Sequence, residues 1–90
     1  MIKSFKSKAL REFAEKGKAS KLPAKGHDRI RRILALLDAA TNPTDLNLPG
    51  FYFHKLKGNN RFSVRVTGNW RITYAWSDTD ATDVDIEDYH

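Results

Sequence analysis

The sequence contains no cysteine, and this absence excludes disulfide bonds and thiol catalysis. It also has no secretory leader and no long apolar run, so we expect a cytoplasmic protein with no membrane partner. Its three histidines, His27, His54 and His90, lack the close spacing of zinc ligands. We therefore expect neither a metal nor another cofactor.

Acidic residues are scarce over most of the chain. Residues 1–40 hold eleven Lys and Arg against four acids, residues 41–76 hold five against one, and residues 77–90 hold six acids and no Lys or Arg. The net charge of +5 thus combines +11 over residues 1–76 with −6 in the last fourteen. A basic field attracts phosphate or an acidic protein. Basicity alone is also compatible with an ordinary solvated surface.

Two alternating segments predict a β-hairpin. Apolar and polar side chains alternate over residues 61–66 and again over residues 70–76, which is typical of half-buried strands. Gly68-Asn69 between them suits a tight turn, so the segments should pair antiparallel. One face should carry Trp70, Tyr74 and other apolar side chains, and the second face should carry Arg65 and Arg71. Function is expected on this second face.

The other elements follow from shorter signals. Ser7 is a plausible N-cap for a helix over residues 8–16 that Gly17 ends. A second helix is predicted from Pro23 to Asn42-Pro43, with an apolar stripe that includes Ile30 and Leu37 and an outer face formed by Lys25, Asp28, Arg29 and Arg32. Strands are predicted at residues 51–56 and 84–90, with a polar link over residues 77–82 and a short edge strand at residues 1–5.

These elements predict one domain, residues 1–90, of the α+β class. Two N-terminal helices should pack on one face of a mostly antiparallel, twisted sheet of about four to five strands. Ninety residues bury only one core, so a functional site must lie on the sheet face or at its rim.

An ordered set of motifs resembles the HigB branch of the RelE/ParE toxins of bacterial type II toxin-antitoxin systems. The motifs are Leu48-Pro49-Gly50, His54-Lys55-Leu56-Lys57-Gly58, Ser63-Val64-Arg65-Val66 with Gly68-Asn69-Trp70-Arg71-Ile72, and Asp88-Tyr89-His90. The resemblance implies a RelE-like fold and an endoribonuclease that cleaves mRNA in the ribosomal A site. It also implies a helix-turn-helix antitoxin as partner. Tyr52 departs from the pattern, since relatives often carry a basic residue there.

RNA cleavage without a metal needs a base for the 2′-hydroxyl proton, an acid for the leaving 5′ oxygen, and cations around the phosphate. His54 and His90 suit the acid and base roles, because an imidazole titrates near neutral pH. The resemblance adds Asp88 and Tyr89 to the catalytic set. Four basic residues are predicted to contact RNA phosphates: Arg71, Arg65, Lys57 and Arg61.

The positions of these residues leave other interpretations open. His54 could be an ordinary rim histidine, and His90, as the last residue, could be idle. Asp88 shares its parity with Val84 and Ile86, so a regular strand would point it toward the core side and Tyr89 to the other side. Two other functions also stay open: a ParE-like inhibitor of DNA gyrase, and a non-catalytic RNA- or ribosome-binding module.

Overall fold

The computed structural model of the protein describes residues 1–88. Helix α1 spans Lys8–Lys16, as predicted. The Ser7 hydroxyl accepts a hydrogen bond from the Leu10 amide at 3.1 Å and caps the N-terminus of the helix. Gly17, in the left-handed conformation (φ 70°), ends the helix and donates its amide to the Phe13 carbonyl. These caps orient the buried side chains of Leu10 and Phe13 toward the core.

Helix α2 spans His27–Ala39, and the predicted start at Pro23 and end at Asn42-Pro43 are wrong. Gly26 adopts φ 81°, a left-handed conformation that a right-handed helix cannot pass through. Ala24 is buried in the core as part of the turn before it. At the other end Ala40 is already extended, and residues Pro43–Leu46 form a separate 3-10 turn.

The sheet has four strands in the order of the chain, and all neighbours are antiparallel. Their bounds are β1 His54–Lys55, β2 Phe62–Thr67, β3 Trp70–Ser77 and β4 Asp80–Asp88. The predicted hairpin is confirmed, with Val64 opposite Ile72 and Arg65 opposite Arg71.

Two strand predictions need correction. The strand predicted over residues 51–56 is reduced to His54–Lys55, because Tyr52 adopts φ 50° and breaks the extended path. The strand predicted over residues 84–90 begins earlier, at Asp80, since Ser77 and Asp80 pair directly and close a tight turn. Part of the predicted polar link therefore belongs to β4.

The N-terminal segment lies along the outer edge of β4. Ile2 and Phe5 form parallel bridges to Ala81 and Val84, respectively. Both side chains are half-buried against the core, as predicted for a short edge strand. The sheet is therefore mostly antiparallel, with one short parallel contact.

One hydrophobic core lies between the helices and the sheet, and confirms the predicted layer arrangement. Apolar side chains of α1 and α2 share a buried cluster with alternate residues of β2, β3 and β4, among them Val64, Ile72 and Val84. Trp70 and Trp76 are half-buried against it, and Tyr74 is fully buried. The strand side chains that alternate with these core residues point to the opposite side of the sheet, which we call the open face.

Candidate nucleic-acid interface

The strand register determines which side chains share the open face. One row across the sheet joins His54, Ser63, Thr73 and Asp85, which are successive cross-strand partners. The next row joins Arg65, Arg71 and Glu87. Residues directly opposite in antiparallel strands point to the same side, so these seven side chains lie on the same face of the sheet. The predicted placement of Arg65 and Arg71 on the face away from the core is confirmed.

Arg65 and Arg71 are the cationic pair of this face. Because they are direct partners across β2 and β3, their like charges repel each other. The Arg65 guanidinium carbon lies 5.2 Å from the centre of the Tyr52 ring, a cation–π contact. Glu87 lies opposite Arg71 on the other side. Two opposed arginines bring two guanidinium groups onto one face, where both can donate to the oxygens of a phosphate.

A hydrogen-bonded network lies beside the pair. Arg61 Nη2 donates to the Thr73 hydroxyl at 2.9 Å and to the Asp83 carbonyl at 2.8 Å. The Thr73 hydroxyl in turn donates to the Glu87 carboxylate. Thr73 thus links a cation to an anion and is fully buried beneath them. Arg61, predicted as a phosphate contact, also has this structural role.

His54 is exposed on β1, directly opposite Ser63. The Ser63 hydroxyl is buried and makes no hydrogen bond to the described residues. An antiparallel pair brings the two Cβ atoms to about 5 Å from each other. His54 therefore shares the open face with the arginine pair.

Lys57 is exposed in the turn between β1 and β2. This turn is closed by a hydrogen bond of 2.7 Å from the Leu56 amide to the Arg61 carbonyl, and Asn59 Oδ1 accepts from the Arg61 amide at 3.1 Å. The turn carries the Lys57 charge at the rim of the open face.

Asp88 lies at the end of β4, opposite Trp70. The register is regular from Asp85 to Asp88, so Asp88 shares the core-side parity of Ile86, as the sequence predicted. Strand spacing and rise put its Cα about 17 Å from that of His54. Asp88 is exposed and lines a cavity of about 370 Å³ that Lys25 and Trp70 also line. The structure thus does not bring His54 and Asp88 onto one face, and Tyr89 and His90 lie outside the described residues.

Clear pKa shifts occur away from the open face. Hydrogen bonds from the backbone amides of Thr41 and Asn42 lower the pKa of Asp45. Burial, with a smaller effect of the Asp45 charge, raises the pKa of Tyr74, whose hydroxyl donates to the Pro43 carbonyl at 2.8 Å. Asp45 caps the 3-10 turn, and Tyr74 attaches the turn to β3.

Within residues 1–88, no three His, Asp or Glu side chains come close enough to hold a metal ion. In the same part of the chain, neither helix has the length and apolar character needed to span a bilayer.

The chain matches the family of HigB-like toxins, described as the RelE-like toxin of the type II toxin-antitoxin system HigB, over residues 3–90. The chain belongs to this family. Among its relatives, the Endoribonuclease HigB of Proteus vulgaris is 44% identical over 92 aligned residues that cover 100% of both chains. The Toxin HigB-1 of Vibrio cholerae is 37% identical over 82 residues, or 87% of this chain and 86% of the relative. The resemblance identified from the motifs is therefore confirmed.

Sequence reasoning did not single out Thr73, Glu87 or Tyr52 as candidate functional residues of this HigB-like toxin. The alternation of β3 and β4 could have revealed Thr73 and Glu87, had β4 been aligned with β3 in the correct register. Tyr52 had no such signal, because its position depends on a left-handed backbone conformation. Arg29, predicted to point outward, is half-buried and donates to the Arg65 and Gly50 carbonyls.

Proposed function

We propose that this HigB-like toxin is an endoribonuclease that cleaves translated mRNA in the ribosomal A site, and therefore acts in the cytoplasm. The first support is the relative from Proteus vulgaris, which is named an endoribonuclease and aligns with the whole chain. The second support, and the structural observation that carries the proposal, is the opposed pair Arg65 and Arg71 on the same face as an exposed histidine.

The chain has residues of every type that the proposed reaction needs. A base removes the proton of the 2′-hydroxyl, the 2′ oxygen forms a bond to phosphorus, and the bond from phosphorus to the 5′ oxygen breaks. An acid then supplies a proton to the 5′ oxygen. We assign these two roles to His54 and His90, in an order that stays open. Arg65 and Arg71 stabilise the charge that develops on the phosphate oxygens.

Asp88 and Tyr89 belong to the proposed catalytic set by resemblance to the family. Asp88 would orient an imidazole or accept a proton, and Tyr89 would stack on a base or donate to a phosphate oxygen. Asp88 lies at the end of β4 and His54 on β1. Lys57 and Arg61 would contact flanking phosphates.

The decisive test is induced expression in growing cells with mapping of transcript ends. The proposal predicts cuts in frame within translated regions, which neither a gyrase inhibitor nor a binding module would produce. His54→Ala should lower the cleavage rate by about 10²- to 10⁴-fold, the usual contribution of a general acid or base. Ribosome binding and thermal unfolding should remain nearly unchanged.

His27→Ala is the matched control. His27 is also an exposed histidine, but it lies at the N-terminus of α2, where its ring contacts Phe13 at 5.9 Å between centroids. This variant should cleave like the wild type. Wild-type cleavage by the His54 variant would exclude His54 from the catalytic set.

A type II toxin is paired with an antitoxin, and we propose a HigA-like helix-turn-helix protein for this partner. The basic residues between Lys18 and Arg32 lie on the helix side of the molecule and offer a surface to an acidic segment of it. Ribosomal RNA around the A site is the other proposed contact of the basic field.

A further inference from the structure

Tyr52 is an exposed aromatic residue at the edge of the open face. It retains 59% of its accessible surface, and among the described residues only Met1 shares this exposure of a large hydrophobic side chain. Its backbone adopts φ 50°, which is unfavourable for a bulky side chain. A bulky aromatic side chain that is both strained and exposed adds little to the core, so its position calls for an explanation outside folding.

The backbone on the N-terminal side of Tyr52 is fixed. Arg29 Nη2 donates to the Gly50 carbonyl at 2.6 Å, and the Phe51 carbonyl accepts from the Arg65 amide at 2.8 Å. The Phe51 ring is buried, with the Arg29 guanidinium carbon 5.0 Å from its centre. Arg29 Nε also donates to the Arg65 carbonyl at 3.0 Å. Helix α2 and strand β2 therefore hold Tyr52 in a defined place.

The Tyr52 ring lies next to the arginine pair, Arg65 and Arg71. The Arg65 guanidinium lies 5.2 Å from the ring centre, while the same residue is the direct partner of Arg71. Aromatic rings and guanidinium planes both stack on unpaired RNA bases. The ring lies against Arg65, and Arg65 lies opposite Arg71, so a base and its phosphate would find neighbouring contacts.

We propose that Tyr52 and Arg65 form a stacking platform for one mRNA base, next to the phosphate that Arg65 and Arg71 bind. This inference rests on the proposed function and names Tyr52 as an additional RNA-binding residue. Stacking uses the π face that every base has, so the platform should hold a base with little preference for its identity.

The test measures affinity for ribosomes programmed with an mRNA whose codon nucleotides carry 2′-O-methyl groups, which block attack by the 2′ oxygen. Tyr52→Ala should bind roughly 5- to 150-fold more weakly, the range that base–aromatic stacking gives on alanine substitution. Tyr52→Phe keeps the ring and should bind like the wild type. Lys16→Ala, an exposed charge on α1, serves as the control variant.

Abasic nucleotides placed one at a time in the same mRNA separate stacking from indirect effects. At one position, removal of the base should abolish the difference between wild type and Tyr52→Ala, because the two changes remove the same contact. If Tyr52→Ala binds normally, or if it binds weakly with no abasic position coupled to it, the platform does not exist. In the latter case the ring would only position Arg65.

Cleavage of unmodified mRNA by the wild type is measured separately. A wild type that binds programmed ribosomes without cutting mRNA would contradict the proposed nuclease activity. The coupling between Tyr52→Ala and an abasic nucleotide would still show whether the platform exists. Thermal unfolding of each variant shows that any loss of affinity comes from a folded protein.

Discussion

Thr73 shows how one residue can organise the open face. The alternation of side chains along β3 places Thr73 on the polar side of the sheet. It nevertheless has no accessible surface, because Arg61 and Glu87 cover it. Its hydroxyl accepts from the guanidinium and donates to the carboxylate, so both hydrogen-bonding capacities are used. Thr73 therefore keeps the side chains around the arginine pair in fixed positions.

Thr73→Val tests this role at nearly constant volume. Valine keeps the β-branched shape but leaves Arg61 and Glu87 without the bridging hydroxyl. We expect the free energy of unfolding to fall by about 1–3 kcal/mol, the range for a lost buried hydrogen-bond partner. Urea denaturation measures this change.

Thr67→Val is the matched control, since Thr67 is exposed at the end of β2. It should change stability by less than about 0.5 kcal/mol. Thr73→Val and Arg61→Ala should be non-additive when combined, because both remove the same hydrogen bond. Additive effects would contradict the network.

At the residue scale, the sequence predicted side chains whose direction follows from regular alternation. Arg65, Arg71 and the core-side parity of Asp88 follow this rule and are observed. Tyr52 could not be predicted, because its direction depends on its own left-handed backbone conformation and on hydrogen bonds that the preceding Gly50 and Phe51 carbonyls accept from Arg29 and Arg65, which are distant in sequence.

At the scale of elements, the 3-10 turn Pro43–Leu46 connects the end of α2 to the sheet. The Asp45 carboxylate accepts hydrogen bonds from the amides of Thr41 and Asn42 at 2.9 and 3.2 Å. The Tyr74 hydroxyl donates to the Pro43 carbonyl from beneath. The turn is therefore held both by its own capping group and by the central strand.

The lowered pKa of Asp45 predicts an acid-sensitive contribution of this turn. A carboxylate with a lowered pKa stabilises the fold fully above its ordinary pKa of 3.8, and the contribution is lost as the pH falls through the lower, folded-state value. Asp45→Asn should reduce stability at neutral pH and reduce the further loss below pH 3.8. Thermal unfolding at a series of pH values measures both effects.

Asp78→Asn is the control for this titration. It removes one carboxylate from the turn between β3 and β4 without touching the Asp45 hydrogen bonds. A pH dependence of Asp45→Asn identical to that of the wild type would show that Asp45 does not contribute.

The accuracy of the predicted elements depended on how local their signals were. Helix α1 was predicted correctly because its cap, apolar stripe and stop lie within eleven residues, Ser7 to Gly17. The start of α2 was not, since Pro23 is also acceptable in the turn that Gly26 ends. Strand β4 was predicted too late, because its polar first residues lack an alternating pattern and pair with β3 across a tight turn and with the N-terminal segment, which is distant in sequence.

At the scale of the whole molecule, helices and core cover one side of the sheet and leave charged rows on the other. The field of +11 from residues 1–76 acts on both sides, whereas Asp85 and Glu87 of β4 lie in the same rows as the arginine pair on the open face. Such a field attracts RNA from a distance, and the arginine pair then holds a phosphate at short range.

Salt dependence separates these two contributions. The logarithm of the association constant for a non-cleavable single-stranded RNA should fall linearly with the logarithm of salt concentration, and Arg65→Gln should lower the slope by about 0.7, the value for one phosphate contact. Lys16→Gln, on the exposed side of α1, should leave the slope unchanged. Equal slopes for wild type and Arg65→Gln would argue against a phosphate at Arg65.

The N-terminal segment has a consequence for solubility at high expression. An uncovered outer strand exposes a ladder of amides and carbonyls to which another molecule can add a strand. Here the Lys3 and Lys6 amides donate to carbonyls of Ala81 and Val84 and occupy part of that ladder, while the opposite border, β1, is only two residues long. Both borders of the sheet in residues 1–88 thus discourage the strand addition that leads to fibrous aggregates.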